Sequence, residues 1–179
     1  MKKIKQALIT ALLCISFLPS VFAQGDNPIA LGFRATPDGG GFTGKFFLDH
    51  NLAFEAQLNG AGLYEGNSVT AVGLMEYHID LPAPGWRIYF GAGIHFGLWD
   101  HYYNYSDQGI FGIDAIGGVE YLFRHIPLGL SADVKPAVNF APDVEFFPHN
   151  IVGVSARYYF GKPHAHHAHT PMHREGPRD

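Results

Sequence analysis

The sequence predicts an all-β chain, an eight-stranded antiparallel up-and-down barrel that crosses a membrane, with a signal peptide before it and a disordered His-rich tail after it. Three observations predict this. Residues 86–98 alternate strictly: Trp86, Ile88, Phe90, Ala92, Ile94, Phe96 and Leu98 point one way, and Arg87, Tyr89, Gly91, Gly93, His95 and Gly97 the other. Side chains alternate across a strand, and about 9–11 tilted residues cross a bilayer. Beyond residue 23, no apolar run reaches the roughly 18 residues of a spanning helix. Charged residues are only 16% of the chain, against 15% aromatics and 22 glycines, whereas soluble domains carry roughly 25% charge.

Residues 1–23 read as a secretory leader. Lys2, Lys3 and Lys5 form its charged start, 7–18 its apolar middle, and Val21-Phe22-Ala23 its cleavage site. The middle ends at Pro19, too short for a spanning anchor. Leu13 before Cys14 and the apolar residues after it exclude a lipoprotein box. Removing the leader takes the only cysteine with it and moves the formal charge from −4 to −7. Disulfides therefore play no part, and no basic patch remains for a nucleic acid. The remainder divides into a barrel at 24–161 and a tail at 162–179.

Eight strands follow in order. The first, 28–36, sets Ile29, Leu31, Phe33 and Ala35 against Gly32 and Arg34. After a turn at 37–40, the second, 41–48, sets Phe42, Gly44, Phe46 and Leu48 against Thr43 and Lys45. A turn at 49–51 leads to the third, 52–61, with Leu52, Phe54, Ala56 and Leu58 opposite Glu55, Gln57 and Asn59. A loop at 62–67 precedes the fourth, 68–80, where Val69, Ala71, Met75, Tyr77 and Ile79 oppose Thr70, Glu76 and His78. Leu81-Pro82-Ala83-Pro84-Gly85 breaks the chain before the fifth, 86–98. A polar loop at 100–109 precedes the sixth, 110–123, with Phe111, Ile113, Ala115, Val119, Tyr121 and Phe123 opposite Asp114 and Glu120. A turn at 124–127 leads to the seventh, 128–140, with Leu128, Leu130, Ala132, Val134 and Val138 opposite Ser131, Asp133, Lys135 and Asn139. After a loop at 141–150 the eighth, 151–160, sets Val152, Val154, Ala156, Tyr158 and Phe160 against Ser155, Arg157 and Tyr159. The connections at 49–51, 81–85 and 124–127 are tight, while those at 100–109 and 141–150 are long. Short turns at one end and longer loops at the other are the order of a transmembrane barrel.

The polar face decides which side meets lipid. A lipocalin-like soluble barrel also alternates, but turns its apolar face inward and needs Lys and Glu outside. Here the polar face is Gly, Ser, Thr, Asn and Gln with isolated charges, the makeup of a crowded lumen. Arg34, Lys45, Arg87, Lys135 and Arg157 share it with Glu55, Glu76, Asp114, Glu120 and Asp133. Buried charge is costly unless paired, so five positive and five negative groups are expected to pair inside the barrel. Aromatic residues near strand ends, among them Trp86, Trp99, Phe111, Tyr121, Phe123, Phe140, Tyr158 and Phe160, are placed for two interfacial girdles.

The chain resembles the small eight-stranded outer-membrane β-barrel proteins of Gram-negative bacteria, the OmpA-like and OmpX-like barrels, over about residues 28–160. The last strand, Gly153-Val-Ser-Ala-Arg-Tyr-Tyr-Phe160, carries the likeness most strongly. Two further segments share it, Gly112-Ile-Asp-Ala-Ile-Gly-Gly-Val-Glu-Tyr-Leu-Phe123 and Leu130-Ser-Ala-Asp-Val-Lys-Pro136. The resemblance implies that Tyr158 and Phe160 lie in a terminal strand read by the barrel-assembly machinery. Ser155 stands where the family usually has Gly, and the chain runs on to Asp179. It also implies a monomer in the cell outer membrane among its lipids and lipopolysaccharide, serving membrane integrity, adhesion or surface interaction.

The residues also bear on other functions. Some eight-stranded barrels deacylate lipid A with a Ser, His and acid set. Such catalysis needs Ser and His in hydrogen-bond reach, and neither His78 beside Glu76 nor His95 has a Ser in a local motif. No catalytic residue, enzyme activity or cofactor is therefore expected. A narrow pore is a further alternative, but eight strands leave room only for side chains. Tyr102, Tyr103 and Tyr105 offer an amphipathic surface for a partner or an interfacial anchor. His164, His166, His167, His169 and His173 in the tail are a candidate weak site for a divalent metal.

Overall fold

The computed structural model describes residues 28–61, 67–101, 104–141, 144–147 and 151–160. The segment expected to be a leader, 1–23, and that expected to be a tail, 162–179, with its five histidines, lie outside the described residues. Among the described residues there are ten strands and no helix: β1 (Ile29–Thr36), β2 (Gly39–Phe47), β3 (Leu52–Ala61), β4 (Asn67–Asp80), β5 (Trp86–His101), β6 (Asn104–Leu122), β7 (Leu128–Val134), β8 (Ala137–Ala141), β9 (Glu145–Phe147) and β10 (Val152–Phe160).

The strands close on themselves. Their order is β5-β4-β3-β2-β1-β10-β7-β6, and β6 pairs back with β5. Every pairing is antiparallel, including that of β1 with β10. Both β7 and β8 pair with β6, so they are one stave broken in the middle, and the ring has eight staves. Closure gives every stave two hydrogen-bonded neighbours, the condition for a sheet in lipid, where no water is available to unpaired amides.

The register fixes the geometry. A circuit along residue partners runs Val119, Ala132, Val154, Ala35, Gly40, Gly60, Val69, Leu98 and back to β6 at Gly109. The return point lies ten residues from the start. With about 3.3 Å per residue and about 4.8 Å between strands, that stagger tilts the strands by about 40°, inside the usual barrel range.

Three expectations are corrected. The seventh strand is interrupted at Lys135 and Pro136. Pro136 has no N–H to donate, while its carbonyl accepts from the Ala115 amide at 2.9 Å and the Lys135 amide donates to Ile151 at 2.6 Å. The polar stretch 100–109 is not a loop: β5 and β6 continue as a hairpin to His101 paired with Asn104, with a register shift after Trp99. The long loop 141–150 contains β9, which pairs with the free edge of β8 from Ala137↔Phe147 to Asn139↔Glu145.

Each stave has one lipid-type face and one interior face. β10 alternates strictly between exposed and buried residues. Phe33, Phe42, Leu58, Val69, Phe90, Ile94, Phe96, Leu98 and Val154 are each at least half exposed, whereas the charged residues on the opposite faces are buried. Aromatic pairs cluster at the tight-turn end, where Trp86 meets Tyr121, Tyr121 meets Phe123 and Tyr158 meets Phe160 at 4.8–5.0 Å. Phe33 and Phe42 pair at 5.0 Å near the β1–β2 turn, at the opposite end. Such belts suit the two membrane–water interfaces.

Glycine on the inner face makes the closure possible. A Cβ on Gly93 would collide with the Gly73 carbonyl and the Leu74 backbone across β4. Gly93→Val is therefore expected to destabilise the barrel by about 3 kcal/mol or more, the upper end of overpacking costs, read as a lower midpoint in urea refolding.

Candidate functional site

Alternation on eight staves sends ten charged side chains inward, and all ten are at most 5% exposed. The largest group lies around Arg157 and Lys45. Arg157 donates to Glu55 at 2.8 Å, to Ser131 at 2.8 Å and to Thr43 at 3.2 Å, and its guanidinium stands 3.6 Å from Glu120. Lys45 bridges Glu55 at 3.2 Å and Glu76 at 2.8 Å. Thr43 and Gln57 also donate to Glu55, and Tyr159 donates to Glu120 at 2.8 Å. Lys45 and Glu55 are cross-strand partners, so the sheet register itself sets this contact.

Three smaller groups flank it. Arg34 pairs with Asp133 at 2.6 Å, and the Tyr89 hydroxyl donates to the same carboxylate at 3.1 Å. The Arg34 guanidinium lies directly on Gly153, which leaves no room for a Cβ there. Lys135 donates to Asp114 at 2.7 Å. His95 spends one ring nitrogen on Asp114 and the other on Asn139, both at 2.8 Å. The fourth group corrects the expected five-to-five pairing. Arg87 donates to Asp80 at 2.6 Å, not to one of the five expected acids, and His50 reaches the same carboxylate at 3.6 Å. Asp80 shares its face of β4 with Glu76 and His78, so parity along that strand makes it a sixth inward acid.

Apolar residues also face inward. Ala30, Phe47, Ala53 and Tyr159 form one buried cluster with Leu122 against it, and Val72, Leu74, Tyr89 and Ile116 form another. His78 sits between them, 5.2 Å from the Phe47 ring and stacked at 5.2 Å on Tyr89. Lys45 lies 4.2 Å over the other partner of this stack, the Tyr89 ring. Of the tyrosines expected at a partner surface, Tyr105 falls in β6, while Tyr102 and Tyr103 lie outside the described residues. Among the described residues no group of three His, Cys, Asp or Glu is arranged for a metal ion.

No protein-family model matches the chain, and no curated protein matches it either. Among solved structures, the chain is similar to the N-terminal β-barrel domain of Pseudomonas aeruginosa OprF, with a TM-score of 0.62 at 14% identity over 75% of this chain and 98% of that one. The chain has the fold of that barrel domain. A second solved structure, Neisserial surface protein A, gives a TM-score of 0.47 at 16% identity over 74% of this chain and 92% of that one. With the closed eight-stave ring, the OprF match makes this an all-β, eight-stranded antiparallel β-barrel fold.

Proposed function

We propose that the chain is a non-enzymatic protein of the bacterial outer membrane, a structural or surface-interaction barrel whose interior is closed by paired charges. The observation that carries this reading is the inverted polarity of the ring. Arg34, Lys45, Glu55, Glu76, Glu120 and Arg157 are inside at 0–2% exposure, while Phe33, Phe42 and Phe96 stand outside at 59–65%. A soluble binding barrel of the lipocalin kind needs the opposite arrangement. In water, an outer wall of this kind would be an aggregation surface; in lipid it is the solvent-matched face. The buried histidines favour the non-enzymatic reading, since His95 is held by Asp114 and Asn139 and His78 by Glu76.

Fractionation of cells expressing the full chain tests the location: recovery in outer-membrane vesicles is expected, and recovery in the soluble periplasm refutes it. Planar-bilayer recording tests the closed interior. The expected trace is silent, and steady single-channel steps would establish the narrow-pore alternative. A lipid A profile that changes when the protein is expressed would establish the deacylase alternative.

A further inference from the structure

Among the described residues, the interior charges do not balance once Asp80 is counted. Six carboxylates face inward, at Glu55, Glu76, Asp80, Asp114, Glu120 and Asp133, against five cations at Arg34, Lys45, Arg87, Lys135 and Arg157. Three couples close separately: Arg34 with Asp133, Lys135 with Asp114, and Arg87 with Asp80. What remains is Lys45 and Arg157 against Glu55, Glu76 and Glu120, five groups at 0–1% exposure. The excess is one negative charge among groups with almost no exposed surface, where an uncompensated charge is very costly.

His78 lies where the compensation is missing. Its Nε2 is 3.1 Å from Glu76 and its Nδ1 4.0 Å from Glu120. Both carboxylates keep an oxygen with no hydrogen-bond partner, Oε1 of Glu76 and Oε2 of Glu120, as does Nδ1 of His78. The ring is packed between Phe47 from β2 and Tyr89 from β5. Around this site stand Lys45 from β2, Glu55 from β3 and Arg87 from β5. Glu120 from β6, and Arg157 and Tyr159 from β10, complete the ionisable surroundings.

We propose that the assembled barrel holds one proton in the contact between His78 and Glu76, and that this proton supplies the sixth positive charge of the interior. The other buried histidine does not serve, because Lys135 and Asp114 beside His95 already cancel. The stored proton makes the barrel a pH-sensitive assembly. In the unfolded chain an ordinary imidazole loses its proton above about pH 6.5 and an ordinary glutamate far lower, so above that pH the folded state holds a proton the unfolded state lacks. Stability then falls as pH rises.

The test is equilibrium refolding of the full chain into lipid vesicles against urea, between about pH 6.5 and 9.5, for the wild type, Glu76→Gln and His95→Gln. The wild-type folding constant is expected to fall as pH rises, by about tenfold per pH unit while the folded site keeps its proton. Glu76→Gln removes the excess charge and is expected to flatten the slope, while His95→Gln keeps it. A flat wild type, an unchanged slope in Glu76→Gln, or a slope lost in His95→Gln overturns the proposal. If Glu76→Gln does not fold, nitrogen-15 and infrared spectra of the folded wild type at about pH 8 decide. A doubly protonated His78 or a protonated glutamic acid supports the stored proton; a neutral imidazole beside only ionised carboxylates refutes it.

Discussion

Phe90→Arg is expected to prevent stable assembly of the barrel, and Leu130→Arg, beside Tyr121 at the aromatic belt, to weaken it less, because the cost of a charge falls towards the interface. Phe90 is 54% exposed on the outer face of β5, packed against Tyr77 at 5.8 Å, and Leu130 is 44% exposed on β7. Phe90 stands four residues beyond Trp86 on a strand tilted by about 40°, which places it roughly 10 Å from the aromatic belt and near the middle of a band about 25 Å tall. An arginine at the midplane of such a barrel costs about 2–4 kcal/mol, a large share of a typical stability. The measurement is the folded fraction after refolding into vesicles, with Phe33→Leu as a control that keeps the face apolar. Normal insertion of both arginine variants would reverse the assignment of the outer face.

Much of this architecture was legible because barrel strands obey a parity rule. One face is exposed and apolar and the other lines a crowded interior, so a residue's position along the strand decides its side. Trp86 to Leu98 and Val152 to Phe160 read correctly for that reason. Parity says nothing about where a strand ends. Residues 104–109 belong to β6, which pairs with β5 as far as His101↔Asn104, although their composition is that of a loop. The interruption at Pro136 was hidden for a related reason: Val134 and Val138 continue the alternation on either side of it, and only the missing N–H of proline marks the break. The partner of Arg87 was hidden by the Leu-Pro-Ala-Pro-Gly turn. Asp80 sits at the last residue of β4 and Arg87 at the second of β5, and the hairpin makes them cross-strand partners. Sequence parity assigns both to the interior, but only register assigns them to each other.

The interior is also where affinity for the membrane and identity of the fold separate. The outer face needs only apolar side chains, and many sequences would serve. The inner face is specific, because each cation has its carboxylate at a fixed register: Lys45 opposite Glu55 across β2–β3, and Arg157 within reach of Glu55, Ser131 and Thr43 from three other strands. A shift of one residue in any pairing would turn a charge into the lipid and an apolar group into the interior. The charges thus penalise wrong registers more than they stabilise the right one, since the cost of desolvating a buried pair offsets much of its attraction.

Arg157→Met tests that argument most directly. The arginine ties Glu55 and Glu120 together through one guanidinium, at 2.8 and 3.6 Å. Methionine fills a similar volume but leaves Glu120 with the Tyr159 hydroxyl as its nearest donor and Glu55 with Lys45, Thr43 and Gln57. Breaking a buried pair by removing one partner costs about 3–5 kcal/mol, so the variant is expected to refold into vesicles with a midpoint far below that of the wild type. Adding Glu120→Gln to Arg157→Met removes the orphaned charge as well, and the double variant is expected to recover at least about 1 kcal/mol of the loss, the scale of coupling between residues in one ion-pair network. A single variant as stable as the wild type would mean that water, not Arg157, compensates the two carboxylates, and the interior would then be a hydrated space with charges on its walls.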